Sequence, residues 1–109
     1  MNDPVATLKI VALREDREEI EIIAALGRPR AADDGAWICP VEIAPLSQGV
    51  EVRGVDGFHA LWLGCSLVLK VLASFRAEGW ALAAEDGGPF PLDAYLAGLD
   101  ATPPPSAAR

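Results

Sequence analysis

The chain opens with alternation. In "TLKIVALRED" Leu8, Ile10 and Ala12 fall on one face of an extended strand, with Lys9, Val11 and Leu13 on the other. The charged run "REDRE" (14–18) reads as a hairpin turn, and "EIEIIAALG" resumes with Ile20, Ile22, Ala24 and Leu26 on one face. Glu, Ala and Leu also favour a helix across 15–26, but the alternation of "IEII" and the breakers Gly27 and Pro29 favour a strand. "RPRAADDGA" (28–36) reads as a loop. "WICPVEI" (37–43) puts Trp37, Cys39, Val41 and Ile43 on one face. Its Pro40 has no N–H for a ladder and predicts an edge or a bulge. After the turn "APLSQG", "VEVRGV" (50–55) completes a second hairpin.

The period then changes. Asp56 is placed to cap a helix whose apolar pattern runs from Phe58 to Phe75, and Gly79 is placed to end it, which predicts a helix over about 56–78. "WALAA" (80–84) predicts a further strand and "EDGGP" a turn. "PLDAYLAGL" predicts a short helix with Pro91 in its first turn. "ATPPPSAAR" (101–109) reads as a disordered Pro/Ala-rich tail. The fold class is therefore α+β: an antiparallel sheet of four to five strands, built from two hairpins, with the long helix on one face and a short C-terminal helix. The domain spans 1–100.

On a helical wheel His59, Ser66, Lys70 and Ser74 share a narrow polar stripe that Leu63 interrupts. Phe58, Leu61 and Trp62 are expected to begin the packing, and most of the circumference is apolar. A helix on one sheet needs only one apolar face. The outer sheet face carries its own surplus in Val11, Leu13, Ile23 and Ile38. Large uncovered apolar surface marks interfaces, so a homodimer is expected, against a monomer that wraps its own helix.

Composition narrows the function classes. Of 109 residues, 51% are hydrophobic, enough for a core. Sixteen acidic residues against nine Lys and Arg leave a net charge of −7, which argues against nucleic-acid binding and fits a basic protein partner. The N-terminus shows no basic segment followed by an apolar run, so no signal peptide is expected. Lys70 within the long apolar stretch argues against a membrane span, and a cytoplasmic location is expected.

The candidate chemistry is sparse. One His and two Cys exclude a His-rich or CxxC metal site. "DDG" (33–35) and "EDGG" (85–88) are ordinary turns, lacking the oxygen ligands of a calcium loop. No phosphate-cradling glycine loop or nucleophile elbow is present, so no cofactor and no catalytic residue is assigned. His59 lies at the positive end of the helix without a second positioned group and reads as a capping or surface residue. Cys39 and Cys65 both read as buried thiols that behave as small apolar side chains, against a disulfide or a reactive thiol, and Cys65 faces away from His59. Trp37, Trp62 and Trp80 supply core area and are also typical interface anchors. The candidate binding or interface residues are Trp37, His59, Trp62, Ser66 and Lys70.

A W-x-C-P strand (Trp37, Cys39, Pro40) followed by a G-V-D-x-x-x-A-L helix start (Gly54, Val55, Asp56, Ala60, Leu61) resembles a family of small bacterial domains of unknown function. The resemblance covers roughly residues 7–85 and implies a standalone bacterial domain, with no catalytic or ligand role attached. A non-enzymatic, self-associating interaction protein is the expected function, one version being an acidic inhibitor or immunity-type protein. The competing expectation is a small-molecule binder or minor enzyme, with a pocket between sheet and helix lined by Trp37, His59 and Trp62.

Overall fold

The computed structural model describes residue 1 and residues 3–100; the predicted tail 101–109 lies outside the described residues. Strands β1 (Ala6–Leu13) and β2 (Glu19–Leu26) form the first hairpin, and β4 (Trp37–Ala44) and β5 (Ser47–Gly54) the second. Between them, Arg30 and Ala31 form a short strand, β3, where a loop was expected. Helix α1 (Gly57–Ala77) follows, then β6 (Ala81–Ala83) and α2 (Leu92–Asp100). All pairings are antiparallel. One edge of β4 carries β5; the other is shared by β3 against Trp37–Ile38 and β2 against Val41–Ala44. β1 lies beyond β2, and β6 is the far edge. The expected α+β class is what is found, with the sheet extended to six strands.

Pro40 shows why β3 and β2 are separate. It sits in the interior strand, opposite the break between them, where a missing N–H leaves no gap in a ladder. Gly27 N–H donates to the Pro40 carbonyl across that break at 2.8 Å. Proline was expected at an edge or a bulge; its strand is interior, its neighbour is interrupted, and the register of β4 against β5 shifts just after it, between Val41 and Ile43.

The alternation predicted for the hairpins sets the buried face. Ile10 lies opposite Ile22, Ala24 opposite Ile43 and Leu26 opposite Val41, all buried. A one-residue slip would turn each outward, so burial of this face pins the register. α1 lies over β4 and β5 at very short range. A Cβ at Gly64 would come within 3.0 Å of Leu26 Cδ2 and 3.1 Å of Cys39 Sγ, and one at Gly54 within 2.5 Å of the Ala60 backbone N. The stripe that meets the sheet is therefore Ala60, Gly64 and Val68, at helical i, i+4, i+8 spacing.

That choice of face corrects two expectations. Phe58 does not begin the packing: it is 82% exposed. Over its first two turns small residues let the helix approach the sheet and Phe58 and Trp62 point away, whereas further along Leu69 and Leu72 are buried. Ser66, assigned to an open polar stripe, is buried. A third correction concerns the outer sheet face. Ile38 is buried, because Arg30 and Arg53 are its cross-strand neighbours and lay their stems beside it. Arg30 pairs with Glu51 at 2.8 Å and Arg53 pairs with Asp34, closing a charged cover. Leu13 and Ile23 stay exposed, as expected.

Candidate functional site

The segment that joins β5 to α1 was the richest in sequence signals, and each signal has a structural use. Asp56 is extended and caps α1: its Oδ1 accepts from the His59 backbone N–H at 2.7 Å. His59 answers in kind, since Val55 N–H donates to its Nδ1 at 3.0 Å. This is a capping box with histidine in place of the usual Glu or Gln and one residue further back. The bond places the lone pair on Nδ1 and the ring proton on Nε2. Gly57 lies against the Trp37 ring, where a Cβ would come within 3.3 Å of Cε3. Trp37 is thus a half-buried platform for the first turn of α1.

These contacts separate the five candidate residues. Trp37 and His59 secure the helix start from opposite sides. Trp62 projects outward at 45% exposure, Lys70 is exposed and Ser66 is buried. The residues that join Trp62 on the open surface are Phe58 and Val55, at 82% and 78% exposure. Neither was singled out as a site residue. The legible signal was geometric: Phe58 and Trp62 are four apart and lie away from the Ala60–Gly64–Val68 stripe.

A second feature lies further along α1, beginning one turn beyond Trp62. An apolar cleft of about 160 Å3 opens between α1, the β1–β2 hairpin and α2, lined by Leu8, Ala24, Leu26, Cys65, Val68 and Tyr95. Trp37, His59 and Trp62 are not part of it. Both cysteines are free. Cys39 is fully buried and its Sγ–H donates to the Gly27 carbonyl at 3.5 Å. Burial pushes its thiol up, with a smaller push from the neighbouring Cys65 thiol. Cys65, expected to be buried like Cys39, is instead exposed at the cleft rim, because the stripe of α1 that meets the sheet runs through Gly64. Among the described residues no three His, Cys, Asp or Glu side chains are grouped to hold a metal ion. By length and composition α1 would suffice to cross a bilayer, with a mean hydropathy of 1.6; in the fold its inner stripe lies on the sheet.

This is a small α+β domain: an open antiparallel sheet with one face covered by a doubly capped helix, and an apolar surface left open at that helix's start. The chain belongs to the family described as a domain of unknown function (DUF6968), whose profile matches residues 8–90. No curated protein and no solved structure matches the chain.

Proposed function

We propose that this domain is a non-enzymatic interaction protein of the bacterial cytoplasm that self-associates as a homodimer through the open start of α1. The observation that carries the reading is the cluster of Val55, Phe58 and Trp62, at 78%, 82% and 45% exposure, on a helix start held rigid by two side-chain caps. A preorganised aromatic surface with few rotamers to freeze suits an interface. Leu61, half-buried beside it, extends the apolar area. The net charge of −7 supports the narrower version, an acidic inhibitor or immunity-type protein for a basic enzyme, and disfavours nucleic acid and membrane surfaces as partners. Two free thiols, one fully buried, suit a reducing compartment.

The test is the solution mass. Light scattering on the gel-filtration peak at tens of micromolar is expected to return twice the chain mass, and the double variant F58E/W62E to return one. A wild-type monomer would overturn the reading. So would a dimer indifferent to both substitutions. A small-molecule pocket is the second reading, favoured by the apolar cleft. At about 160 Å3 that cleft is small beside ordinary ligand pockets of roughly 300–1,000 Å3.

A further inference from the structure

β1 is only partly covered on its outer edge. β6 pairs with Val11, Ala12 and Leu13 alone. The chain then turns at Ala84–Gly88, where Ala84 N–H donates to the Gly88 carbonyl at 2.7 Å, and folds back along the far side of β6, with Pro89 opposite Ala83 and Phe90 N–H donating to the Leu82 carbonyl at 2.9 Å. Ala6–Ile10 therefore have β2 on one side and, among the described residues, no strand on the other. Alternate residues of such an edge present unpaired N–H and C=O groups, which is a template for one more strand. The space beside it is a notch lined by Thr7, Lys9, Ile10, Glu85, Phe90 and Tyr95. Its aromatic wall is stiffened by the stacking of Phe90 on Tyr95 at 5.0 Å. The notch also shares Thr7, Leu8 and Tyr95 with the apolar cleft. Backbone slot and side-chain pocket are thus one continuous groove between a strand edge and a helix.

We propose that this groove binds an extended peptide segment of a partner protein by strand addition to Ala6–Ile10, with one bulky apolar side chain of the peptide in the cleft below Tyr95 and basic residues flanking it. The main-chain pairing supplies affinity and the cleft selects the side chain, as in other strand-addition sites. Of the side chains lining the cleft, only Thr7, Cys65 and Tyr95 carry a polar group. The charge preference follows from Glu85, which lines the notch and has no ion-pair partner among the described residues, on a chain of net charge −7. A second copy of this chain fits poorly. In antiparallel pairing of β1 with its counterpart about Leu8, the counterpart's β6, which flanks residues 11–13, would fall on Val5, which is itself held to the sheet by donating to the Leu26 carbonyl at 2.8 Å. The open edge of β1 is distinct from the Phe58–Trp62 surface, with Cys65 at the cleft rim one helical turn beyond Trp62, and the proposal does not require self-association.

Selection of phage-displayed random heptapeptides on the full chain tests it. Enriched peptides are expected to alternate β-branched and polar residues around one large apolar side chain, with Arg or Lys at the ends. A synthetic copy of the best one is expected to slow amide hydrogen exchange of Ala6–Ile10 by about tenfold or more, since exchange then requires the added strand to open. N-methylation of alternate peptide amides is expected to abolish binding. Cys65→Trp, which fills the cleft from its exposed rim, is expected to weaken binding by about tenfold or more, and Glu85→Lys by about threefold. A melting curve checks that each variant is folded. The proposal is overturned by failure of any peptide to enrich over a control protein. It is also overturned by equal binding of the N-methylated peptide, by protection that maps to Phe58 and Trp62, or by edge amides already protected in a concentration-dependent way without peptide.

Discussion

The two ends of α1 are solved differently. At the C-terminal end the backbone cap and the side-chain cover are one structure. Gly79, at φ +96°, donates to the Arg76 carbonyl at 3.0 Å, and Trp80 N–H to the Phe75 carbonyl at 3.0 Å. This is a Schellman motif, and its usual apolar contact is here the edge-on meeting of the Phe75 and Trp80 rings at 5.5 Å. Arg14, from the first hairpin turn, places its guanidinium over the Trp80 ring at 4.9 Å. α2 covers the neighbouring flank, with Leu92 in the same buried cluster as Leu69 and Leu72, and Arg76 pairing with Asp93 at 2.7 Å. At the N-terminal end Asp56 and His59 also bond the backbone, yet Phe58 and Trp62 stand in the open. Capping a helix and covering it are separate problems, and a domain that solves only the first leaves a rigid apolar surface.

The strongest way to break the contrast is Trp80→Ala. It removes the ring that both ends the helix and seals that end, and is expected to cost about 4 kcal/mol in urea unfolding. Gly54→Ala comes next, with an expected loss of about 2–3 kcal/mol, because the added methyl meets the backbone of Ala60 and not a side chain that can move aside. Its effect would show that the open end is also anchored, but through backbone contact. Asp56→Ala is expected to cost about 1 kcal/mol and His59→Ala about 0.5–1 kcal/mol. Their sum in the double variant should fall short of or exceed additivity, since the two bonds form one reciprocal cap.

The smallest expected effect concerns the thiols. Iodoacetamide on the native chain is expected to label Cys65 well before Cys39, read by mass spectrometry of the peptides, because Cys39 is buried and its thiol is held protonated. The sign for stability follows. The folded state keeps the Cys39 proton to higher pH than the unfolded chain does. That contribution is present below the unfolded thiol's pKa and is lost as pH rises past it. Stability that rose with pH across the thiol range on account of this residue, checked against Cys39→Ala, would contradict the burial argument.

Much of the fold was legible because its signals are local. "REDRE" makes the first turn, with Arg14 N–H donating to the Glu18 carbonyl at 2.9 Å, and Asp56 and Gly79 bound the helix. What misled was size. Phe58 and Trp62 look like core because they are large and apolar, whereas Ala60 and Gly64 look like filler. Burial by the sheet goes to the face that can come closest, and closeness favours the small side chains. Ile38 misled for the opposite reason: it lies on the outer face, but the residues that cover it, Arg30 and Arg53, are its neighbours only once β3 and β5 flank β4.

The sequence by itself therefore determined the antiparallel hairpins, the limits of α1 and the lack of a recognisable catalytic motif, since alternation, caps and breakers act within a few residues of one another. The tertiary structure decided which face of α1 is inside, how Pro40 fits an interior strand, and where apolar surface is left open along α1 and the outer edge of β1. Those outcomes depend on the spacing between elements far apart in the chain, and that spacing is set by how near two backbones can approach.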